Sequence, residues 1–169
     1  VVISSLMVTG GYAEEGDWNT EDIWGGGIYV DNSTIELAYL RVSNNQAAHE
    51  GGGIFISNSS NIVMRNLEID NNEANVGSAI NIESSSKISL ENLDIHSNNG
   101  NTLTLHSMDF RSNESDLYTS NINIYNNNGT PHALRLSFFY GTLDDFNIFG
   151  NFGNGINNFY GSQIHLKNS

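Results

Sequence analysis

The chain has 169 residues, 38% of them hydrophobic, which is enough for one domain with its own core. Nineteen acidic residues against six basic ones give a net charge of −13, so we expect no nucleic-acid partner and no attraction to an anionic membrane. There is no cysteine, which excludes disulfides and thiolate metal sites, and no apolar run is long enough for direct insertion of this segment into a membrane.

The first part of the chain combines two short aliphatic runs, in VVISSLMV, with an acidic loop at residues 9–24. Alternation in the two runs predicts short strands. The loop holds both tryptophans, Trp18 and Trp24, and carboxylates that could bind calcium, while an indole can stack on a sugar ring. Its candidate metal ligands are Glu14, Glu15, Asp17, Glu21 and Asp22. The alternative is a solvated acidic loop whose tryptophans cover one edge of the core.

From residue 25 onward a unit of 26 residues recurs, so that Ile28, Ile54 and Ile80 are evenly spaced. Aliphatic residues alternate within each unit, as Ile62 and Met64 do, and Asn, Ser and Gly separate the short runs. Period two predicts strands, and the intervening residues predict corners. We therefore expect about six stacked rungs of roughly 26 residues, each with three short parallel strands whose inward aliphatic side chains form columns.

One corner of the rung carries an asparagine in every unit. These residues are Asn45, Asn72, Asn98 and Asn127. Stacked amides can donate to one neighbour and accept from the other, so we expect a structural ladder along the axis. The glycine runs Gly25–Gly27 and Gly51–Gly53 are interpreted as tight corners, because a phosphate-binding loop requires a helix after it and none is predicted.

Superposing the rungs predicts which outward side chains are neighbours. The outward column before the Asn corner is Met7, Arg41, Glu68, Asp94, Asn123, Asn147 and His165, and the next is Ser43, Asp70, His96 and Tyr125. Adjacent members lie about 4.8 Å apart, so Glu68 and Asp94 need a cation, a nearby Arg41 or a raised pKa. Candidate metal ligands here are Glu68, Asp70 and Asp94, and candidate catalytic groups are Glu68, Asp94 and His96. The alternative is a solvated face with ion pairs.

On the opening strand the outward column is Tyr29, Phe55, Asn81, Thr104 and Arg135. Tyr29 and Phe55 are therefore candidate ligand-binding aromatics, with the alternative that a neighbouring loop covers them. Within a single domain of residues 1–169 we expect a second loop insertion at 106–121 and aromatic-rich terminal rungs at 133–169. The terminal aromatics, Phe146, Phe149 and Phe152 among them, would fill the core or cap the open end of the stack.

Two sets of motifs carry a family resemblance. The openings GGGI and GSAI and the segment FRSN at Phe110–Asn113 resemble the GGA-aliphatic and FxxN repeats of polymorphic outer-membrane proteins, which are surface-displayed adhesins and autotransporter passengers. The rungs resemble those of right-handed parallel β-helix proteins of the pectate-lyase-like superfamily. The resemblance implies an all-β, right-handed parallel β-helix solenoid. It also implies an extracellular or cell-surface location, a bacterial source, and flanking rungs in a longer parent chain.

The same resemblance offers two functions. Many β-helix relatives cleave acidic polysaccharides, and Asp144 and Asp145, with His132 and Arg135, partly match the residues that hydrolases use. No complete catalytic set can be assigned, and the acidic surface would repel an anionic glycan. We therefore expect a non-enzymatic, adhesin-type binding or display scaffold. The alternative is a carbohydrate-active module, a polysaccharide lyase or glycoside hydrolase. The expected partner is a glycan or a surface protein of a host or neighbouring cell, and calcium is the one candidate cofactor.

Overall fold

The computed structural model describes residues 1–14, 23–106, 116–138, 140–159 and 163–167, and their regular structure consists of β-strands. In chain order the strands are β1 (Val2–Ser4), β2 (Met7–Thr9), β3 (Tyr12–Ala13), β4 (Ile28–Asp31), β5 (Thr34–Ser43), β6 (Gln46–Ala47), β7 (Ile54–Ser57), β8 (Asn61–Asp70), β9 (Ile80–Glu83), β10 (Lys87–His96), β11 (Leu103–His106), β12 (Asp116–Tyr125), β13 (Asn128–Ser137), β14 (Tyr140–Asp144), β15 (Phe146–Phe149), β16 (Phe152–Phe159) and β17 (Gln163–Lys167).

The strands stack into two long sheets and one small one, and the strand pairs are parallel. Sheet A follows the order β1-β5-β8-β10-β12-β14-β17, with β2 beside β5 and β15 beside β12. Sheet B follows the order β4-β7-β9-β11-β13-β16, and β3 pairs with β6 on the third side. Successive strands of one sheet come from successive repeat units, so the chain winds as a parallel β-solenoid, which confirms the predicted fold class.

The predicted aliphatic columns are present. Ile28 lies opposite Ile54, and Ile54 lies opposite Ile80, at the centre of sheet B. The column continues through Leu103 and Leu134. Ile54 and Ile80 are fully buried, and each such side chain contributes roughly 1.5–3 kcal/mol of burial free energy. The core is therefore one continuous cluster between the sheets.

Each rung has the three expected strand segments, because the long strands of sheet A are bent. Strands β5, β8, β10 and β12 all have ten residues. Each contains one residue with positive φ, namely Tyr39, Asn66, Asn92 and Asn121. Asparagine tolerates this left-handed conformation better than most residues. These four strands mark about four regular turns, so the predicted count of about six rungs is slightly too high, and shorter strands at both ends account for the difference.

The asparagine ladder is confirmed, and it has one further member. The amide nitrogen of Asn45 donates to Oδ1 of Asn72 at 2.9 Å, and the same bond links Asn72 to Asn98 and Asn98 to Asn127. Asn127 in turn donates to Asn151 at 2.8 Å. Each Oδ1 also accepts the backbone N–H of the preceding rung's asparagine, as Asn72 does from Asn45. The ladder thus satisfies polar groups that the corner would otherwise leave buried and unpaired.

Two details differ from the sequence-based expectation, and one alternative is decided in part. His165 lies opposite Thr142, because β17 pairs with β14, and so it does not extend the Glu68 column. Strand β12 already includes residues 116–121, which belong to sheet A and not to a loop insertion, while residues 107–115 lie outside the described part of the chain. Of the terminal aromatics, expected to fill the core or cap the open end, Phe146 fills the core, whereas Phe149 and Phe152 are more than half exposed and lie outside it.

Candidate functional site

Three aromatic rings lie together on the outer face of sheet B. The Tyr29 and Phe55 rings stack with centroids 5.7 Å apart, as their opposite positions on β4 and β7 require. Trp24 precedes β4, and its backbone forms an isolated parallel β-bridge with Glu50. The centroid of its ring lies 5.4 Å from that of Phe55 and 6.5 Å from that of Tyr29. Phe55 is only 3% exposed, so it supports the other rings and is not itself an exposed binding residue. The alternative that the aromatic pair is covered is thus correct for Phe55.

A cleft of about 320 Å³ opens beside these rings. Trp24, Tyr29 and Phe55 form one wall, and the polar lining includes Asp31, Ser57 and Glu83. These three polar residues occupy successive rungs in one outward column. Apolar walls with a few convergent polar groups are typical of small-molecule sites.

Hydrogen bonds hold the upper part of the cleft in place. The Asp31 carboxylate accepts from the hydroxyl of Ser57 at 2.6 Å and from the amide of Asn58 at 2.8 Å. Since both bonds favour the charged form, the pKa of Asp31 is lowered. Asp31 is therefore an ionised acceptor at neutral pH.

Glu83 lines the cleft, and a second carboxyl group, that of Glu50, approaches it from the neighbouring rung. The Asn81 amide donates to Glu50 at 2.9 Å and to Glu83 at 3.4 Å, which brings the two acids together. Burial, followed by the charge of Glu83 and a hydrogen bond to it, raises the pKa of Glu50 to about 7. The charge of Arg135 offsets this only in part. Glu50 therefore keeps its proton up to about pH 7 and is hydrogen-bonded to Glu83.

Two buried polar atoms beside the pair have no hydrogen-bond partner among the described residues. They are Oδ1 of Asn81 and Oγ1 of Thr104, on adjacent rungs of the same outward column. Both residues are more than 95% buried. An unpaired polar atom in such surroundings is unfavourable, so each such atom needs a specific explanation.

A larger groove of about 520 Å³ lies on the third side of the solenoid. Its floor is formed by Ala47, Ala74 and Gly100, and Glu73 contributes a carboxylate. Small residues on successive rungs make a shallow channel there. The smaller cleft on sheet B combines aromatic and polar groups, and it is therefore the better candidate site.

The outer face of sheet A brings together the other predicted residues. Glu68 lies opposite Asp94, and Asp70 opposite His96, as expected. Arg41 donates to both oxygens of Asp70, at 3.0 and 3.1 Å, and its Nε lies 3.8 Å from Glu68. His96 Nε2 is 3.6 Å from the Glu68 carboxylate. Arg41 is thus positioned as the nearby cation anticipated for Glu68.

The pKa of Asp70 reflects this neutralisation. Burial disfavours the charge on Asp70, but hydrogen bonds from Arg41 and Asn71 outweigh burial, and its pKa is lowered. Beside it the His96 ring stacks on Tyr125 at 4.9 Å, and Tyr125 stacks on Phe149 at 5.1 Å. These contacts describe an ion-paired, ring-stacked face.

The Asp144 and Asp145 pair does not meet the other hydrolase-like residues. Asp144 ends β14 and Asp145 follows it before β15, both strands of sheet A, while His132 and Arg135 belong to β13 on sheet B. The His132 ring nitrogen instead lies 2.7 Å from the Asn157 amide. The four residues therefore do not form one constellation.

The metal site predicted in the acidic loop at residues 9–24 falls largely outside the part of the chain that the structure describes. This applies to Glu15, Asp17, Glu21 and Asp22, and also to Trp18 among the ligand-binding candidates. Glu14 is described and is exposed. Within the described ranges no group of three or more His, Asp or Glu side chains could hold a metal ion.

Sequence reasoning missed Glu50, Asn81 and Glu83 as site residues. The 26-residue period does place Glu83 two rungs from Asp31 in one column, and that signal could have been used. Glu50 lies in the corner before Gly51, where period two no longer tells which way a side chain points. The approach of Glu50 to Glu83 could therefore not be predicted from the sequence and is seen only in the structure.

With the solenoid and its cleft established, comparison with known families places the chain. The right-handed β-helix family model matches residues 12–169, and the chain belongs to this family. None of the curated proteins and none of the solved structures matches it. In the described residues there is no helix long and apolar enough to cross a membrane.

Proposed function

We propose that this chain is a non-enzymatic, adhesin-type binding segment of an extracellular or cell-surface β-helix, and that it holds a glycan in the sheet B cleft. The observation that carries the proposal is the stack of Trp24, Tyr29 and Phe55 beside the polar column of Asp31, Ser57 and Glu83. Aromatic rings contact the apolar faces of sugars, and carboxylates and hydroxyls accept from sugar hydroxyls.

The wider biological setting is part of this proposal. The GGGI and GSAI openings support a surface-displayed protein similar to polymorphic outer-membrane proteins and autotransporter passengers, within the pectate-lyase-like superfamily and from a bacterium. Flanking rungs would extend the solenoid. Calcium at residues 9–24 stays a prediction, and melting with and without the ion tests it.

Binding of an oligosaccharide panel to the isolated protein tests the glycan proposal. We expect Tyr29→Ala and Trp24→Leu to weaken binding of the best ligand at least about tenfold, since each removes ring contacts. Tyr118→Ala is the matched control, because Tyr118 is exposed on sheet A, away from the cleft. Equal weakening by all three variants, or binding of a surface protein but of no glycan, would contradict the glycan proposal.

A carbohydrate-active enzyme is the second candidate, and the Glu50 pKa of about 7 favours it, because a general acid needs a pKa near the working pH. Against it, Glu50 and Glu83 are hydrogen-bonded to each other. Glycosidase carboxyl pairs stand about 5 Å or more apart so that a sugar carbon or a water fits between them. We therefore expect no new reducing ends or unsaturated products from any polysaccharide that binds. Their release, and its loss in Glu50→Gln, would establish the enzyme instead.

A further inference from the structure

The cleft on sheet B has an excess of negative charge. Asp31 on β4 and Glu83 on β9 line it, and Glu50, in the corner before β7, adds a third carboxyl group that is hydrogen-bonded to Glu83. Arg135, on β13, is the cation whose charge reaches the pair, and His106 lies next to Glu83 on the adjacent rung. A ligand that brings further negative charge, such as a uronic acid, would be repelled here.

The buried groups next to the carboxyl pair require hydrogen-bond donors. The Asn81 amide nitrogen is directed at Glu50 and Glu83, while its Oδ1 and the neighbouring Thr104 Oγ1 lack partners among the described residues. Both atoms accept hydrogen bonds. Asn81 and Thr104 do not line the cleft, so a ligand there does not reach these two atoms; their lone pairs instead add to the negative potential of Glu50 and Glu83 and favour a cation nearby.

We propose that the cleft selects a glycan bearing a primary ammonium group, as an amino sugar does, with the ammonium between the carboxylates of Asp31 and Glu83. This inference rests on the proposed glycan-binding function and specifies its ligand class.

The column geometry fits such a group. Ser57 lies between Asp31 and Glu83 in the column, and the Asp31 carboxylate already reaches to within 2.6 Å of the Ser57 hydroxyl. An ammonium has three N–H donors, which matches Asp31, Ser57 Oγ and Glu83 as acceptors. The rings of Trp24 and Tyr29 form the adjacent wall and attract a cation by their π faces.

Binding of the ammonium should release a proton. Burial and the neighbouring charge of Glu83 raise the pKa of Glu50 to about 7, so Glu50 is partly protonated near neutral pH. A cation bound next to Glu83 also favours the charged form of Glu50, so Glu50 gives up its proton on binding. An uncharged sugar at the same place would not have this effect.

Calorimetric titration with matched ligands tests the proposal. The probes are a tetrasaccharide of glucosamine, its fully N-acetylated counterpart, and 1,5-diaminopentane as an amine without a sugar. At pH 6.5 in 0.3 M NaCl we expect the glucosamine tetrasaccharide to bind about tenfold tighter than the acetylated one, with proton release detected by comparing two buffers of different ionisation enthalpy. The preference should disappear in Glu83→Gln and persist in Glu91→Gln, an equal charge change on sheet A.

The outcomes separate the two proposals. Equal binding of both tetrasaccharides supports glycan binding and overturns the ammonium inference. Binding of diaminopentane that depends on Glu83, with no binding of either sugar, keeps the ammonium site and overturns the glycan function. A preference that Glu83→Gln and Glu91→Gln weaken equally indicates only attraction to the net charge and overturns the inference. Absence of binding by all three probes overturns both proposals.

Discussion

The outer faces of sheets A and B both bring acidic side chains from neighbouring rungs close together, yet the pKa values of Asp70 on sheet A and Glu50 beside sheet B move in opposite directions. On sheet A, Arg41 bonds Asp70 and the pKa of Asp70 falls. On sheet B, Glu50 and Glu83 share a neutral amide, Asn81, and the pKa of Glu50 rises to about 7. The difference teaches that closely placed carboxylates do not by themselves define a site, because the residue that contacts them decides whether they form an ion-paired surface or an unsatisfied pair.

The two faces should therefore respond oppositely to pH. The lowered pKa of Asp70 means that its contribution to stability is present above its ordinary value of 3.8 and is lost as the pH falls below it. The raised pKa of Glu50 means that its contribution is present below its ordinary value of 4.5 and is lost as the pH rises from 4.5 through about 7. As the pH rises, ionisation of Asp70 therefore raises the free energy of unfolding, and ionisation of Glu50 lowers it.

The largest expected effect comes from breaking the ion pair on sheet A. Asp70→Ala removes a buried carboxylate with hydrogen bonds from Arg41 and Asn71, and it should lower the free energy of unfolding by about 3 kcal/mol at pH 7. Urea denaturation measures this difference. Glu68→Ala is the matched control, because Glu68 is half exposed, and its effect should stay within about 0.5 kcal/mol. Similar losses in the two variants would show that the bonds to Asp70 contribute little.

The second largest effect on stability is expected from replacing the ionisable Glu50 beside sheet B. Glu50→Gln keeps the side-chain shape and the bond from Asn81 but removes the charge. Because ionised Glu50 opposes folding, the variant should be more stable than the natural chain by about 2 kcal/mol at pH 8, after allowance for partial solvent screening, and no more stable near pH 4.5. Unfolding free energies across this pH range measure the effect.

Glu91→Gln is the control for this prediction, since Glu91 lies on β10 of sheet A. Its stability curve should run parallel to that of the natural chain. If the Glu50→Gln curve is parallel as well, Glu50 does not titrate between pH 4.5 and 7, and burial and the charge of Glu83 do not raise its pKa.

The fold could be predicted from the sequence because the residue patterns that specify it are local and repeated. Ile28, Ile54 and Ile80 recur at one spacing, and one shift of register would turn each of them outward, so the stacking had a single solution. The Asn45 to Asn127 ladder followed from the same period. The period also placed Glu68 opposite Asp94 and Asp70 beside His96 correctly.

The candidate site was less predictable because it depends on corners and side-chain direction. Period two orients residues within strands, but Glu50 and Trp24 lie just before strands, where the chain turns. Whether Phe55 is exposed depends on Trp24 lying over it, and repeat arithmetic says nothing about that contact. The unpaired atoms of Asn81 and Thr104 likewise depend on rotamers rather than on residue order.

The smallest effect, and the sharpest test of the comparison, comes from giving sheet B the cation that sheet A has. Ser57 lies between Asp31 and Glu83 in the column, so the ammonium of Ser57→Lys can reach Glu83 much as Arg41 reaches Asp70. Relative to Ser57→Met, which also loses the bond to Asp31 but adds no charge, the lysine variant should gain about 1 kcal/mol at pH 8 and less at pH 5, where Glu50 is protonated. Thermal and urea melts of the two variants at both pH values measure the gain. A gain of equal size at pH 5 and pH 8 would mean that the lysine pairs with Asp31, which is ionised at both pH values, and that a cation next to Glu50 and Glu83 is not what distinguishes the two faces.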